Sequence, residues 1–402
     1  MWPDAEVELI YHYLNLFLPA LLLPNIGMDF LSDYQIDLIR LVQSSSVVKS
    51  AVLASCAANK SMLSRDARYK SLALHYYCEA VKEVSQYLKE LGDHGIPNNA
   101  LIISVIHLYT YNVGRLIQGK QDEFWGPDTA IDAPRHVEGA IKLLNMRCVH
   151  PSPPLSMAKP LDRVVVESVL YQAFLLAMRR PFAPNFHIDA LFLHRAELML
   201  QSVEEGDLVS TESSPILGVP LRLYCLILKI IRFSAETPCS TDLDKTRNEL
   251  DYWETLAMRT GASDSTSSPD ASFTSDVITL YAMATSLLFE WTLQLWGCSE
   301  DGPCVDTHLR VHEFGTDTHL DPRSIPRWQL GYALPILRRA TRFEIWARCY
   351  LGAWPMLMFG YAVTDREDMR LIERALLGLR ERVGYGEIQS ILDELRLVWD
   401  AR

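Results

Sequence analysis

Residues 65–91 read RDARYKSLALHYYCEAVKEVSQYLKEL, and their periodicity decides the fold class. Leu72, Tyr76, Ala80, Val84, Leu88 and Leu91 recur at steps of three or four. Ala73, Tyr77 and Val81 form a second row beside them. A helix apolar over so wide a face packs against more than one neighbour. The same periodicity marks 35–41, 47–62, 100–117, 135–146, 163–178, 190–203, 216–233, 242–258, 273–296, 329–350, 365–382 and 387–399. No period-two run bounded by hairpin turns interrupts them. The expectation is an all-α fold, a large multi-helix domain of antiparallel packed helices with no significant sheet.

Boundary residues support the helices. Ser32 or Asp33 is expected to open one of them. Thr364 precedes Asp365-Arg366-Glu367 and is expected to cap another. Gly384 and Gly386 separate the last two. Polar, turn-rich stretches fall at 119–134, 146–160, 204–215, 261–272 and 297–327. The stretches 204–215, 261–272 and 297–327 are expected to be mobile loops. Amphipathic segments flank every one of these stretches, so residues 1–402 read as a single domain, with two lobes meeting near 150–160 as a finer division.

The 402 residues carry a formal charge of −12, with 49% hydrophobic and 22% charged residues. This is the composition of an ordinary globular chain. The acidic balance speaks against wrapping nucleic acid, which needs clustered Lys and Arg. The short basic groups Arg179-Arg180 and Arg338-Arg339 with Arg342 sit beside apolar runs. The eight cysteines are scattered through mostly apolar segments, which fits buried thiols in a reducing compartment. The apolar stretch from Tyr13 to Leu23 is interrupted by Asn15 and Pro19 and is too short to span a bilayer. Asp4, Glu6 and Glu8 stand where a signal peptide would be cationic. A protein without a membrane segment is expected.

Several elements, in order, carry a resemblance. Leu9-Ile10-Tyr11-His12-Tyr13-Leu14 leads into an apolar run. Ser46-Val47-Val48-Lys49-Ser50-Ala51-Val52-Leu53-Ala54 follows, and then Ala73-Leu74-His75-Tyr76-Tyr77-Cys78-Glu79-Ala80-Val81. Trp125 precedes Arg135-His136-Val137-Glu138-Gly139-Ala140-Ile141-Lys142-Leu143-Leu144. Trp354-Pro355-Met356-Leu357-Met358-Phe359-Gly360 comes next, and Leu395 with Val398-Trp399 closes the series. Over nearly its whole length the chain resembles the fungal-specific transcription factor domain, the regulatory domain of fungal zinc-cluster transcription factors. The signatures His136, Gly139, Ala140, Trp354, Pro355, Gly360 and Trp399 are structural in character. Gly139 and Ala140 are expected to let another helix approach closely. Pro355 belongs in a first helical turn, where no hydrogen bond is lost. Trp354 and Trp399 are expected to cover the end of a helical stack.

The resemblance implies a nuclear regulator of metabolic or secondary-metabolite genes. It would act through a DNA-binding regulator, a second copy of itself or a small-molecule ligand. The six-cysteine zinc cluster that usually precedes such a domain is absent from these 402 residues, so no direct nucleic-acid contact through one is expected. Two other readings stand beside this one. The first is a pathway enzyme or small-molecule carrier in the cytoplasm, suggested by nine Trp and seventeen Tyr. The second is a truncated regulator whose start lies upstream of Met1-Trp2-Pro3.

Candidate chemistry is sparse. His308 and His312, four residues apart, would share a helix face, with Cys304, Cys298 and His319 near in sequence. Asp306, Glu313 and Asp317 among them fit a solvated polar loop instead, and no metal or cofactor is assigned. His75-Tyr76-Tyr77 and His107 with Tyr109 and Tyr111 would line a pocket or, on the plainer reading, pack a helical core. Glu290 beside Trp291 and Trp296 reads as a pocket acid, or as a wet-side residue paired with an arginine. Asp162-Arg163 and Asp365-Arg366 read as solvated or capping pairs. No phosphate loop, Gly-x-Ser-x-Gly or His-Glu-x-x-His occurs, and catalytic residues stay unassigned.

Overall fold

A computed structural model describes residues 4–92, 95–115, 129–149, 155–182, 186–201, 214–236, 238–261, 269–297, 327–384 and 387–402. Side chains at 112–115, 129–133, 201, 260–261, 269–272 and 295–297 lie outside that description. Helix is the only regular structure among the described residues, so the fold is all-α. The chain forms two compact units. One holds Met1–Ala173, Ile188–Leu217 and Arg380–Gln389, and the other holds Phe174–His187, Gly218–Leu379 and Ser390–Arg402.

The first unit begins with α1 (Asp4–His12), a π-helical segment (Tyr13–Phe17) and α2 (Leu18–Leu21). It continues with α3 (Met28–Ser44), α4 (Ser46–Ser64), α5 (Ala67–Leu91), α6 (Asn99–Arg115) and α7 (Thr129–Val149). The start of α8 (Pro160–Met178) and α9 (Ala190–Gln201) complete it. Its centre is α4, which packs on α5 and α6 and also touches α1 and α3. Small side chains make this crowding feasible: Ala51, Ala54, Ser55, Ala57 and Ala58 are all buried. Arg65, in the left-handed conformation at φ 57°, ends α4, and Asp66 caps α5 by accepting from the Arg68 N–H at 2.8 Å. These two residues reverse the chain and lay α5 back along α4.

The second unit contains α10 (Leu221–Phe233), α11 (Ser240–Gly261), α12 (Pro269–Gly297), α13 (Trp328–Arg338) and α14 (Ala340–Trp346). A 3-10 turn (Tyr350–Gly352) then leads into α15 (Ala353–Ala362). Most of α16 (Arg366–Val383) and of α17 (Glu387–Asp400) belongs here as well. The central element is α12, buried on all sides from Val277 to Phe289 and packed against α10, α11, α13 and α15. A helix apolar all round belongs at the centre of a core.

Several expected boundaries move, each for a local reason. Helix α3 opens at Met28 after Gly27, one turn before Ser32 and Asp33. Asp365, not Thr364, caps α16, accepting from the Glu367 N–H at 2.8 Å, while the Thr364 hydroxyl accepts from Arg327. The apolar run 216–233 is helical only from Leu221. Gly218 at φ 68° and Pro220 hold Ile216–Val219 as a buried, non-helical strap. The stretch 329–350 is broken at Arg339, whose ψ of 118° is extended, shortly after Pro335 removes a backbone donor. Pro269–Ser272, within the expected loop 261–272, form the first turn of α12. Residues 204–213, 262–268 and 298–326 of the expected loops lie outside the described residues. No single described helix is long and apolar enough to cross a membrane.

Candidate functional site

In the first unit, the π-helical segment places Tyr13 in the core. Pro19 has no N–H, so it cannot serve the carbonyl five residues back, that of Leu14. The Leu18 N–H, which would serve Leu14 in an α-helix, donates instead to the Tyr13 carbonyl. Leu14 is thereby left without a helical donor. The Gln35 side chain of α3 fills the vacancy, its Nε2 donating to the Leu14 oxygen at 3.1 Å.

Tyr13 then joins a buried hydrogen-bond chain centred on His107. The ring Nδ1 lies 2.9 Å from Ser55 Oγ, and Nε2 lies 3.3 Å from Tyr13 Oη. Ser55 Oγ already donates to the Val52 carbonyl at 3.0 Å. Its oxygen therefore accepts from His107 Nδ1–H, and Nε2 accepts the Tyr13 hydroxyl proton. Tyr34 is buried in the same core. From Tyr13 through His107 and Ser55 to the Val52 carbonyl the protons run one way, and both ring nitrogens are satisfied. Burial holds the His107 pKa down at about 4, so the ring is neutral. Burial likewise pushes the Tyr13, Tyr34 and Cys56 pKa values up.

Ser55 and His107 are at nucleophile–base distance, but the arrangement is a poor catalytic pair. The serine proton points to a helix carbonyl, and the imidazole nitrogen that would take it carries a proton. Both residues are almost wholly buried. With Tyr109 and Tyr111 also in the core, the packing reading of this segment is the one the geometry follows.

Another buried carboxylate fastens the strap. Glu167, 1% exposed, takes Arg163 Nε at 2.9 Å and, through its other oxygen, Ser214 Oγ at 2.7 Å and the Ile216 N–H at 2.9 Å. Asp162 accepts from the Ser156 N–H at 2.8 Å and from Asn99. Asp162 and Arg163 are therefore buried structural groups and not a solvated pair, because each has a fixed partner inside the unit. The sequence signal for Glu167 was its position four residues after Arg163 in the apolar run Val164–Leu170.

In the second unit, aromatic rings form a column. Phe174 stacks on Tyr224 at 4.4 Å, Tyr224 meets Tyr281 edge-on at 5.6 Å, and Tyr281 faces Trp354 at 5.5 Å. Trp354 is therefore a core residue flanking α12, not a cover for a helix end. Pro355 is the third residue of α15, within the first turn as expected. Gly360 lies against α17, where an added Cβ would come within 2.5 Å of Leu395 Cδ1. Trp399 Nε1 donates to the Gly360 carbonyl at 2.8 Å. Arg402 donates to the carbonyls of Tyr361 and Val363, both at 2.6 Å. Three carbonyls at the end of α15 are thus capped by the end of α17. Glu290 is part-exposed and faces Arg247 at 3.5 Å, agreeing with the wet-side, arginine-paired reading.

The remaining signature lies on α7. His136 Nε2 is 3.3 Å from Tyr77 Oη, and Tyr77 stacks on Tyr111 at 4.3 Å. Ala140 is buried, whereas no described atom comes within 4 Å of a Cβ built on Gly139. The close approach expected of the pair falls to Ala140. His308, His312 and Cys304 lie outside the described residues. Among the described residues, no group of three or more His, Cys, Asp or Glu is placed to hold a metal ion. Compared with known protein-family models, with curated proteins and with solved structures, the chain has no match.

Proposed function

We propose that the chain is a regulatory domain of a transcriptional regulator that works by binding, on metabolic or secondary-metabolite genes in the nucleus. The observation that carries this reading is the joint between Trp354–Gly360 and Leu395–Trp399. These two elements of the resemblance, far apart in sequence, interlock through the Gly360–Leu395 contact and the Trp399 cap. Both serve packing, as signature residues of a binding scaffold would. The described polar groups also serve structure: Ser55, His107, Glu167 and Asp162 are each committed to partners inside their unit. Recruitment to DNA would then come through a DNA-binding regulator or a second copy. A ligand-binding or enzymatic carrier in the cytoplasm is the alternative. It is favoured by the buried indole N–H groups of Trp346 and Trp354, which find no acceptor among the described residues.

The test is chromatin association of the tagged full-length protein, with transcripts compared between wild-type and deletion strains. Enrichment at a gene set whose transcripts fall on deletion supports the regulator. A cytosolic protein with unchanged transcripts and an altered metabolite overturns it in favour of the carrier or enzyme.

A further inference from the structure

Helices α7 and α9 of the first unit touch, and each brings an arginine to the joint. The Arg195 guanidinium of α9 donates to Asn145 Oδ1 of α7, and Cys148 Sγ of α7 lies 3.4 Å from Met199 Sδ of α9. These contacts set Arg195 against the last turn of α7, where Arg147 stands. Both guanidiniums act on the Cys148 thiol. Burial pushes its pKa up to about 11, and the charges of Arg195 and Arg147 pull the other way. Neither arginine makes an ion pair among the described residues. Their neighbours on the helix faces are apolar. Leu191, Phe192, Leu198 and Met199 lie three and four positions from Arg195, and Leu143 and Leu144 precede Arg147 at the same spacing. Arg147 Nε is moreover buried without an acceptor among the described residues, a state that costs free energy. The helix dipole favours a cation at Arg147, near the end of α7, but Arg195 lies in the middle of α9 and gains nothing of the kind. Both side chains are part-exposed, so a ligand in solution can reach them.

We propose that Arg147 and Arg195 form a binding site for the phosphate group of a small phosphorylated molecule. A phosphate monoester carries a charge of about −1.5 to −2 at pH 7, which matches two guanidiniums. Its oxygens accept two-pronged hydrogen bonds from arginine. A carboxylate, with a single charge, would leave one arginine uncompensated. The Asn145 amide, whose oxygen is taken by Arg195, adds N–H donors beside them. Turning the Arg147 side chain to the phosphate would also give its Nε an acceptor. A nucleic acid is the poorer fit, because a polyanion meets the acidic remainder of a chain of net charge −12. The site would give the regulatory reading a ligand class but does not rest on it, since it concerns binding by the purified chain and not its effect on transcripts.

The experiment is isothermal titration calorimetry on the full chain at low salt. The probes are phenyl phosphate and benzoate, which share a ring and differ in the anionic group. Phenyl phosphate is expected to bind, and benzoate to bind at least about tenfold more weakly. Arg147→Gln and Arg195→Gln should each weaken phenyl phosphate binding at least about tenfold, the loss that follows from one charge-assisted contact. The control Arg348→Gln, in the second unit, should leave it unchanged. Thermal melts without ligand establish that the variants fold. Arg147→Gln should melt no lower than the wild type, because it breaks no ion pair and removes a buried donor. No binding of phenyl phosphate overturns the proposal, as does binding that both arginine variants retain. Benzoate binding as tight as that of phenyl phosphate, lost in the same variants, overturns the assignment to a phosphate.

Discussion

Trp399 donates its indole N–H to the carbonyl oxygen of Gly360, and Gly360 in turn leaves room for Leu395 one turn earlier on α17. The two contacts depend on each other. A helix can place an indole over the end of another helix only if the two axes come close, and a missing Cβ is what permits that approach.

Gly360→Ala should therefore destabilise the protein by roughly 1–3 kcal/mol, because its Cβ would overlap the Leu395 side chain. Leu395→Ala alone should cost about 2–5 kcal/mol through lost burial. In the Leu395→Ala background the alanine at 360 has room, and its extra cost should fall towards zero. A double-mutant cycle by urea denaturation reads that coupling. Additive costs would mean that the two residues do not meet.

Glu167→Gln should be severe. The variant removes the Glu167 charge from beside the buried Arg163 guanidinium, and the carboxylate oxygen that holds Ser214 and two backbone N–H groups is weakened or lost. The expected loss is about 3 kcal/mol or more. Limited proteolysis should find faster cleavage at 214–217, where the Glu167 carboxylate anchors the chain leading into the strap. A variant as stable as the wild type would remove Glu167 from its role as anchor.

Much of this was legible in the sequence. The all-α class follows from periods of three and four, which survive wherever a helix has one buried face. The break at Arg339 and the strap at 216–219 were not, because buried apolar residues look alike whether the backbone is helical or extended. Pro220, Gly218 and Pro335 were the available signals. The His107 chain was readable only as a choice between pocket and core. The partners Tyr13 and Ser55 lie on two other elements, and no spacing in one segment reveals them. Arg402, which caps α15, sits 39 and 41 residues from the carbonyls it serves.

Gln35→Ala should cost about 1 kcal/mol, since it withdraws the donor that serves the Leu14 carbonyl. Its cost should shrink in a Pro19→Ala background, where residue 19 regains an N–H able to reach that carbonyl. Thermal denaturation of the four proteins tests this, and equal costs in both backgrounds would sink the account of the π-helical segment.

His107 makes stability pH-dependent in a definite window. Its ordinary pKa of 6.5 is lowered to about 4 in the folded protein, by burial. Above pH 6.5 the ring is neutral in both folded and unfolded chains and contributes no slope. As the pH falls below 6.5, the unfolded chain takes up a proton that the folded one refuses. Stability attached to this group is therefore present above pH 6.5 and is lost progressively down to about pH 4, by roughly 3 kcal/mol in all. His107→Gln cannot titrate. It should be less stable than the wild type at pH 7, because the chain from Tyr13 to Ser55 is broken, yet lose less between pH 6.5 and 4. His12, whose pKa is also lowered by burial, is present in both proteins and cancels in the difference. Urea melts across that range should show the two stability curves converging towards acid. Parallel curves would mean that His107 is protonated at the same pH in the folded and unfolded chains, so that burial does not hold its pKa down.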